Sequence, residues 1–69
     1  MNERLGNRLK ERRLGLGLTQ AELAECCFVT RKTVNTVENG VFVPSALLAL
    51  KLARALGEPV EKLFWLSEA

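Results

Sequence analysis

A run of hydrogen-bonding side chains lies between residues 31 and 36 at the spacing of a helix face. Arg31 and Asn35 are four residues apart, and so are Lys32 and Thr36, which places the members of each pair on neighbouring turns of one α-helix. Guanidinium, ammonium, amide and hydroxyl groups donate or accept hydrogen bonds toward polar partners. The spacing therefore favours a surface for polar recognition.

Catalysis is disfavoured by what the composition lacks. The chain has no histidine, tyrosine or aspartate, which removes the commonest general base and much of the acid–base repertoire of enzymes. Cys26 and Cys27 are adjacent, and two thiols without a histidine are too few for a structural zinc site. We expect both thiols to be reduced, one packed inside and one nearer the surface. No enzyme activity, metal or cofactor is predicted.

Length and composition favour one small globular domain over residues 1–69. The chain has 69 residues, of which 48% are hydrophobic and 26% charged, and this is ordinary for a folded domain. No apolar run approaches the ~20 residues that span a bilayer. Since the first residues also lack the apolar stretch of a secretion signal, we expect a cytoplasmic protein.

Positive charge is concentrated near the N-terminus. The net charge is only +2, but up to residue 14 only Glu3 and Glu11 oppose a group of basic residues. That group is Arg4, Arg8, Lys10, Arg12 and Arg13. An excess of this kind can meet a polyanion, although a charged helix face is more often merely solvated.

Start and stop signals of helices recur along the chain. Leu5 and Leu9 predict an amphipathic helix from about Glu3 to Leu14. Thr19 to Glu22 fits a capping box at the start of a second, short helix that ends near Cys26 or Cys27. Thr30 can cap a third helix from Arg31 to Asn39, which Gly40 ends.

Two further helices complete the prediction. Ser45 can cap a fourth helix that runs to Leu56. Pro59 begins a fifth helix, whose apolar face is expected to hold Leu63, Phe64 and Leu66. Because hairpin signals are poor, the predicted fold class is all-α with five helices.

The second and third helices form a motif that resembles a known family. Two short helices joined by a turn of about three or four residues are a helix-turn-helix. The residues around it resemble the Cro/C1-type (Xre-like) family of phage and bacterial repressors, in particular its short single-domain members. The matching segments are Leu18–Ala24, Val29–Val34, Val37–Gly40, Pro44-Ser45, Ala49–Ala53, Ala55–Gly57 and Leu63-Phe64. The resemblance implies a five-helix lambda-repressor-like fold and a DNA-binding role.

The resemblance also implies a set of DNA-binding residues. Gln20 and Asn39 are expected to hold phosphates, while Arg31 or Lys32 donates to a guanine edge. Which of these two basic residues contacts bases stays open. Among the N-terminal basic residues, Arg12 is the first choice for a nonspecific phosphate contact. The predicted DNA-binding residues are Gln20, Thr30, Arg31, Lys32, Thr33, Asn35, Thr36, Asn39 and Arg12.

Glu38 is excluded from the predicted DNA surface. A carboxylate facing DNA would repel phosphate, and in the family the counterpart of Glu38 pairs with an arginine at the position of Arg13. We therefore expect a partly buried structural ion pair between these two residues, which would link the first and third helices.

Two features depart from the family pattern. Phe28 occupies a turn position that is usually glycine or another small residue, so either the turn is rebuilt or Phe28 packs into a pocket. Val41 to Val43 is unusually apolar. Phe42, Trp65 and Leu66 could form a dimer surface, or Phe42 and Trp65 could close the small core.

Three functions are compatible with these residues. The leading hypothesis is a transcriptional repressor that binds a palindromic double-stranded operator as a homodimer. The same fold could instead serve an antitoxin that binds both its operator and a toxin. A third possibility is a protein-interaction module that has lost DNA binding.

Overall fold

The chain folds into five helices and a small two-stranded sheet. The computed structural model describes residues 3–68. The elements in chain order are β1 (Glu3–Asn7), α1 (Leu9–Gly15), α2 (Gln20–Cys27), α3 (Arg31–Glu38), α4 (Ala46–Leu56), α5 (Val60–Leu63) and β2 (Phe64–Glu68). The predicted helix-turn-helix corresponds to α2 and α3.

The all-α prediction was wrong at both ends of the described chain. The first helix begins at Leu9 rather than near Glu3, because residues 3–7 pair antiparallel with β2. In the same way α5 ends at Leu63, and Phe64 and Leu66 belong to a strand. The spacing of Leu5 and Leu9 suits a helix, but it contains no information about a pairing partner some sixty residues away.

Side-chain caps fix where the central helices begin. Glu22 N–H donates to the Thr19 hydroxyl at 3.0 Å, and Thr19 N–H donates to the Glu22 carboxylate at 2.8 Å. Thr30 and Ser45 accept in the same way at the starts of α3 and α4. These hydrogen bonds satisfy amides that have no partner within their helix. The capping box and the two further caps therefore occur where the sequence predicted them.

One hydrophobic core holds the helices together with the two-stranded sheet of β1 and β2, which we call the ribbon. Its buried side chains come from every helix and from β2: Leu9, Leu23, Ala24, Cys27, Val34, Val37, Leu48, Leu52, Ala53, Leu56, Leu63 and Phe64. Burial of Val34 and Val37 anchors one side of α3 and leaves its other side outward. Within residues 3–68, no helix is long and apolar enough to cross a membrane.

Candidate nucleic-acid interface

The outer side of α3 is polar along its whole length. Arg31 and Lys32 in its first turn are exposed, and Thr33, Asn35 and Thr36 are half-buried. The only acidic residue of α3, Glu38, is turned away from this side, since its side chain is 2% exposed. The outer face thus carries two positive charges together with amide and hydroxyl groups.

Arg13 and Glu38 form a buried ion pair between α1 and α3. Arg13 Nε donates to Glu38 Oε2 at 2.7 Å, and Nη2 donates to Oε1 at 3.2 Å. The remaining guanidinium nitrogen, Nη1, donates to the carbonyl of Leu18 at 2.8 Å. Two parallel hydrogen bonds of this kind fix both position and orientation. The pair therefore sets how α3 lies relative to α1.

Gln20 connects this ion pair to the outer face of α3. Its amide Nε2 donates to Glu38 Oε1 at 3.1 Å and to Asn35 Oδ1 at 3.2 Å. Its amide oxygen accepts from Arg31 Nη1 at 3.2 Å. A continuous hydrogen-bonded chain thus runs from buried Arg13 to exposed Arg31. We call these five residues (Arg13, Gln20, Arg31, Asn35 and Glu38) the Gln20 network.

Asn39 lies at the end of α3 and is bound back to it. Its Nδ2 donates to the backbone carbonyl of Asn35 at 2.9 Å and to Asn35 Oδ1 at 3.1 Å. This places the Asn39 amide beside the Gln20 network on the exposed side of the helix-turn-helix.

The three threonines bond to one another or to the backbone. Thr30 and Thr33 share a hydroxyl contact at 3.1 Å, and the Thr36 hydroxyl donates to the carbonyl of Thr33 at 2.9 Å. Each of these hydroxyls thus already has a partner within the helix-turn-helix. The positively charged groups of Arg31 and Lys32 are the freer donors on this surface, because the amide nitrogens of Gln20 and Asn39 each donate two internal hydrogen bonds.

Arg12 contacts a different part of the molecule from the other predicted DNA-binding residues. Its Nη2 atom pairs with Glu58 Oε1 at 3.0 Å, next to the end of α4. The structure therefore brings eight of the nine predicted DNA-binding residues onto the helix-turn-helix and its flanks, and it ties the ninth to the α4–α5 connection.

Asn7 is a positioning residue that the sequence interpretation missed. Its Oδ1 accepts at 3.0 Å from the N–H of Leu9, the first residue of α1, and its Nδ2 donates to the carbonyl of Val37 at 3.1 Å. It therefore connects the start of α1 to the last turn of α3. The available signal was an asparagine two residues before a buried leucine, which is typical of helix starts.

Phe28 keeps the left-handed conformation that the family pattern requires. Its φ and ψ are 58° and 41°, and its side chain is 84% exposed. The turn is therefore not rebuilt, and no pocket receives the aromatic ring. Neither alternative considered from the sequence describes the turn.

The apolar residues proposed for a dimer surface are divided by the ribbon. Leu66 pairs with Leu5, which lines a cavity of about 420 Å³ together with Phe42. Trp65 points to the opposite face, because neighbouring strand residues alternate; it lies over Gly6, and the Arg8 guanidinium is 5.4 Å from its ring. Phe42 and Trp65 both remain exposed, so they do not close the core.

The cysteines differ in burial. Cys26 is exposed and Cys27 is buried, and both are free thiols. Burial, and to a lesser degree the adjacent Cys26 thiol, raises the pKa of Cys27. In the part of the chain that the structure describes, no group of three or more histidine, cysteine or acidic residues could hold a metal ion.

Comparison with known proteins decides the family. The helix-turn-helix family profile matches residues 9–63, from the start of α1 to the end of α5. The chain belongs to the Cro/C1-type helix-turn-helix family. This is a family of DNA-binding transcriptional regulators and not of enzymes.

Relatives of this helix-turn-helix protein occur in bacteria and archaea. The HTH-type transcriptional regulator YgzD of Bacillus subtilis is 47% identical over 62 residues, which are 90% of this chain and 94% of YgzD. An HTH-type transcriptional regulator of Methanothermobacter thermautotrophicus is 51% identical over 61 residues, covering 87% of this chain and 88% of that protein.

A solved structure supports the same fold. The restriction-modification controller protein C.AhdI from Aeromonas hydrophila is 40% identical and superposes with a TM-score of 0.78, covering 83% of this chain and 86% of C.AhdI.

Proposed function

We propose that this helix-turn-helix protein is a repressor that inserts α3 into the major groove of an operator. The observation that carries the proposal is the orientation of Glu38. With this carboxylate turned inward, the outer side of α3 offers only donors, amides and hydroxyls to the DNA. A face without negative charge suits contact with base edges between two phosphate backbones.

Arg31 and Lys32 are the proposed base-contacting residues. Both are exposed in the first turn of α3, and in helix-turn-helix proteins the N-terminal residues of the recognition helix contact the bases. Since Gln20 already binds Arg31, the Arg31 guanidinium is held before DNA arrives. This favours Arg31 over Lys32 for bidentate contact with guanine.

Gln20, Asn39 and Arg12 are the proposed phosphate contacts. Gln20 stands at the first position of α2, where backbone amides favour an anion. Asn39 lies beside Gly40 at the end of α3. Arg12 has to exchange its contact with Glu58 before it can bind phosphate. The side-chain amides of Gln20 and Asn39 likewise have to exchange one of their internal hydrogen bonds.

We further propose that the protein binds DNA as a twofold dimer, with half-sites spaced about 34 Å apart. Phe42 and Leu66 lie near Leu5 on one side of the ribbon and supply apolar area for such a contact. Leu66→Glu should then shift sedimentation toward the monomer, whereas Leu16→Glu, at another exposed leucine, should not. A repressor acts on DNA, so the proposal places the protein in the cytoplasm.

Selection of bound sites from a random duplex pool tests the main proposal. We expect one enriched half-site, repeated with twofold symmetry, and transcription from a promoter overlapping that site should fall when the protein is added. If no duplex is enriched even at low salt, the DNA-binding proposal is wrong. If transcription rises instead, the repressor role is wrong while DNA binding stands.

A further inference from the structure

An exposed surface around Phe28 has no role in the proposed DNA contacts. On α4, residues 47, 50, 51 and 54 follow the spacing of one helix face. Leu47 and Leu50 are 64% and 57% exposed, respectively. We call this group, exposed Phe28, Leu47, Leu50 and Arg54 together with half-buried Lys51, the Phe28 surface.

Lys51 makes the turn and the helix face one continuous surface. Its ammonium nitrogen lies 5.9 Å from the centre of the Phe28 ring, within the range of a cation–π contact. The aromatic ring on the α2–α3 turn is therefore adjacent to the outer face of α4.

The Phe28 surface combines apolar side chains with positive charge. The sequence of α4 contains Lys51 and Arg54 and no acidic residue. Among the ion pairs within residues 3–68, neither of these two basic residues takes part. Glu25 is the exposed acidic residue closest to Phe28 along the chain, and it lies one helical turn before it. The surface thus has an apolar centre with a basic flank.

Phe28 retains an unfavourable backbone conformation although its ring is largely exposed. A positive φ is disfavoured for a bulky side chain, and glycine would adopt it freely. The exposed ring gains little from burial in this chain. The turn after α2 requires the left-handed backbone but not an aromatic side chain, so the exposed ring is the feature that the fold leaves unexplained.

We propose that the Phe28 surface binds an acidic amphipathic segment of another protein. An apolar helix face would cover the phenylalanine and the leucines, and its acidic rim would match Lys51 and Arg54. A second copy of this chain fits less well, because the Phe28 surface contains no acidic residue that could meet Lys51 and Arg54 of the other copy. DNA fits less well too, since protein–DNA interfaces are more polar than this surface.

The test uses a synthetic, fluorescein-labelled peptide helix with leucines on one face and glutamates on the other. We expect the full-length protein to bind it, and amide shifts in a titration of ¹⁵N-labelled protein to centre on Phe28, Leu50 and Lys51. The same peptide with lysine in place of glutamate should not bind. If the acidic peptide fails to bind at millimolar concentration, or shifts residues elsewhere, the proposal is overturned.

Two variants locate the site. Phe28→Gly suits the backbone conformation and should fold, yet weaken peptide binding about tenfold or more. Lys51→Glu should weaken it by a similar factor, whereas Lys62→Glu, the same charge change at an exposed lysine of α5, should not. Unchanged binding by either of the first two variants contradicts the proposal.

Two further measurements test whether a second copy of the chain or DNA, rather than another protein, occupies the Phe28 surface. If Phe28→Gly converts a dimer into a monomer in sedimentation, a second copy occupies this surface. If Lys51→Glu lowers affinity for a random duplex much more than Lys62→Glu does, DNA occupies it. Either result overturns the proposed protein partner without affecting the proposed role of α3.

Discussion

Two adjacent arginines of α1 bind two different regions of the molecule. Arg13 pairs with Glu38 of α3, and the two side chains are 7% and 2% exposed. Arg12 pairs with Glu58 beyond α4, and these side chains are 37% and 23% exposed. Successive helix residues point about 100° apart, so these two side chains of the same type lie in different environments. Burial, and not residue type, separates a structural pair from an exchangeable one.

The largest expected effect follows from breaking the buried Arg13–Glu38 pair. Glu38→Ala leaves the Arg13 guanidinium buried without its carboxylate, which costs about 3–5 kcal/mol in a site of this kind. A small domain has only about 0.05–0.15 kcal/mol of stability per residue, so this loss removes much of the total. Urea unfolding monitored by circular dichroism measures it.

The matched variant at the more exposed Arg12–Glu58 pair is Glu58→Ala. Because this pair is partly solvated, its removal should cost no more than about 1 kcal/mol. Equal losses for Glu38→Ala and Glu58→Ala would show that burial does not distinguish the two pairs.

The second effect concerns DNA contacts of two guanidinium groups. Arg31→Ala should reduce preference at one base position by about 1–3 kcal/mol. Arg12→Ala should weaken all sites alike, because a phosphate contact contains no sequence information. Binding assays on the selected site and on its single-base variants separate these outcomes. If both variants weaken all sites uniformly, Arg31 does not contact bases.

A smaller effect tests whether Arg12 can exchange its contact with Glu58 for a contact with a DNA phosphate. Glu58→Gln removes the charge that holds Arg12 and frees its guanidinium for phosphate. Affinity for every duplex should rise slightly at low salt, and the log–log salt dependence should steepen by up to about 0.9. An unchanged slope would mean that Arg12 does not reach DNA.

The smallest effect comes from a second pair of identical neighbours, Cys26 and Cys27. The raised pKa of Cys27 means that the folded state keeps this proton at a pH where the unfolded chain loses it. Stability from this thiol should be complete below the ordinary thiol pKa of about 8.5 and should fall as pH rises above it. Cys27→Ala should remove this fall in urea-unfolding curves, and Cys26→Ala should retain it.

Local sequence determined where the helices of the helix-turn-helix begin and which side of α3 is buried. Thr19, Thr30 and Ser45 begin helices through hydrogen bonds to amides three residues on, so the relevant information lies within one turn. The spacing of Val34 and Val37 likewise fixes which side of α3 faces the core. The resemblance to the family added the DNA-binding role and the expectation of an Arg13–Glu38 pair.

Only the tertiary structure decided the contacts between distant segments. Strand pairing replaced the ends of the first and last predicted helices, because residues 3–7 meet residues 64–68. The partners of Gln20 and of Arg12 also depend on how the helices pack. Periodicity and capping act over a few residues, while hydrogen-bond partners across the core depend on the assembled fold. The polar groups of α3 could therefore be identified from the sequence, whereas the contacts that support α3, apart from the Arg13–Glu38 pair, could not.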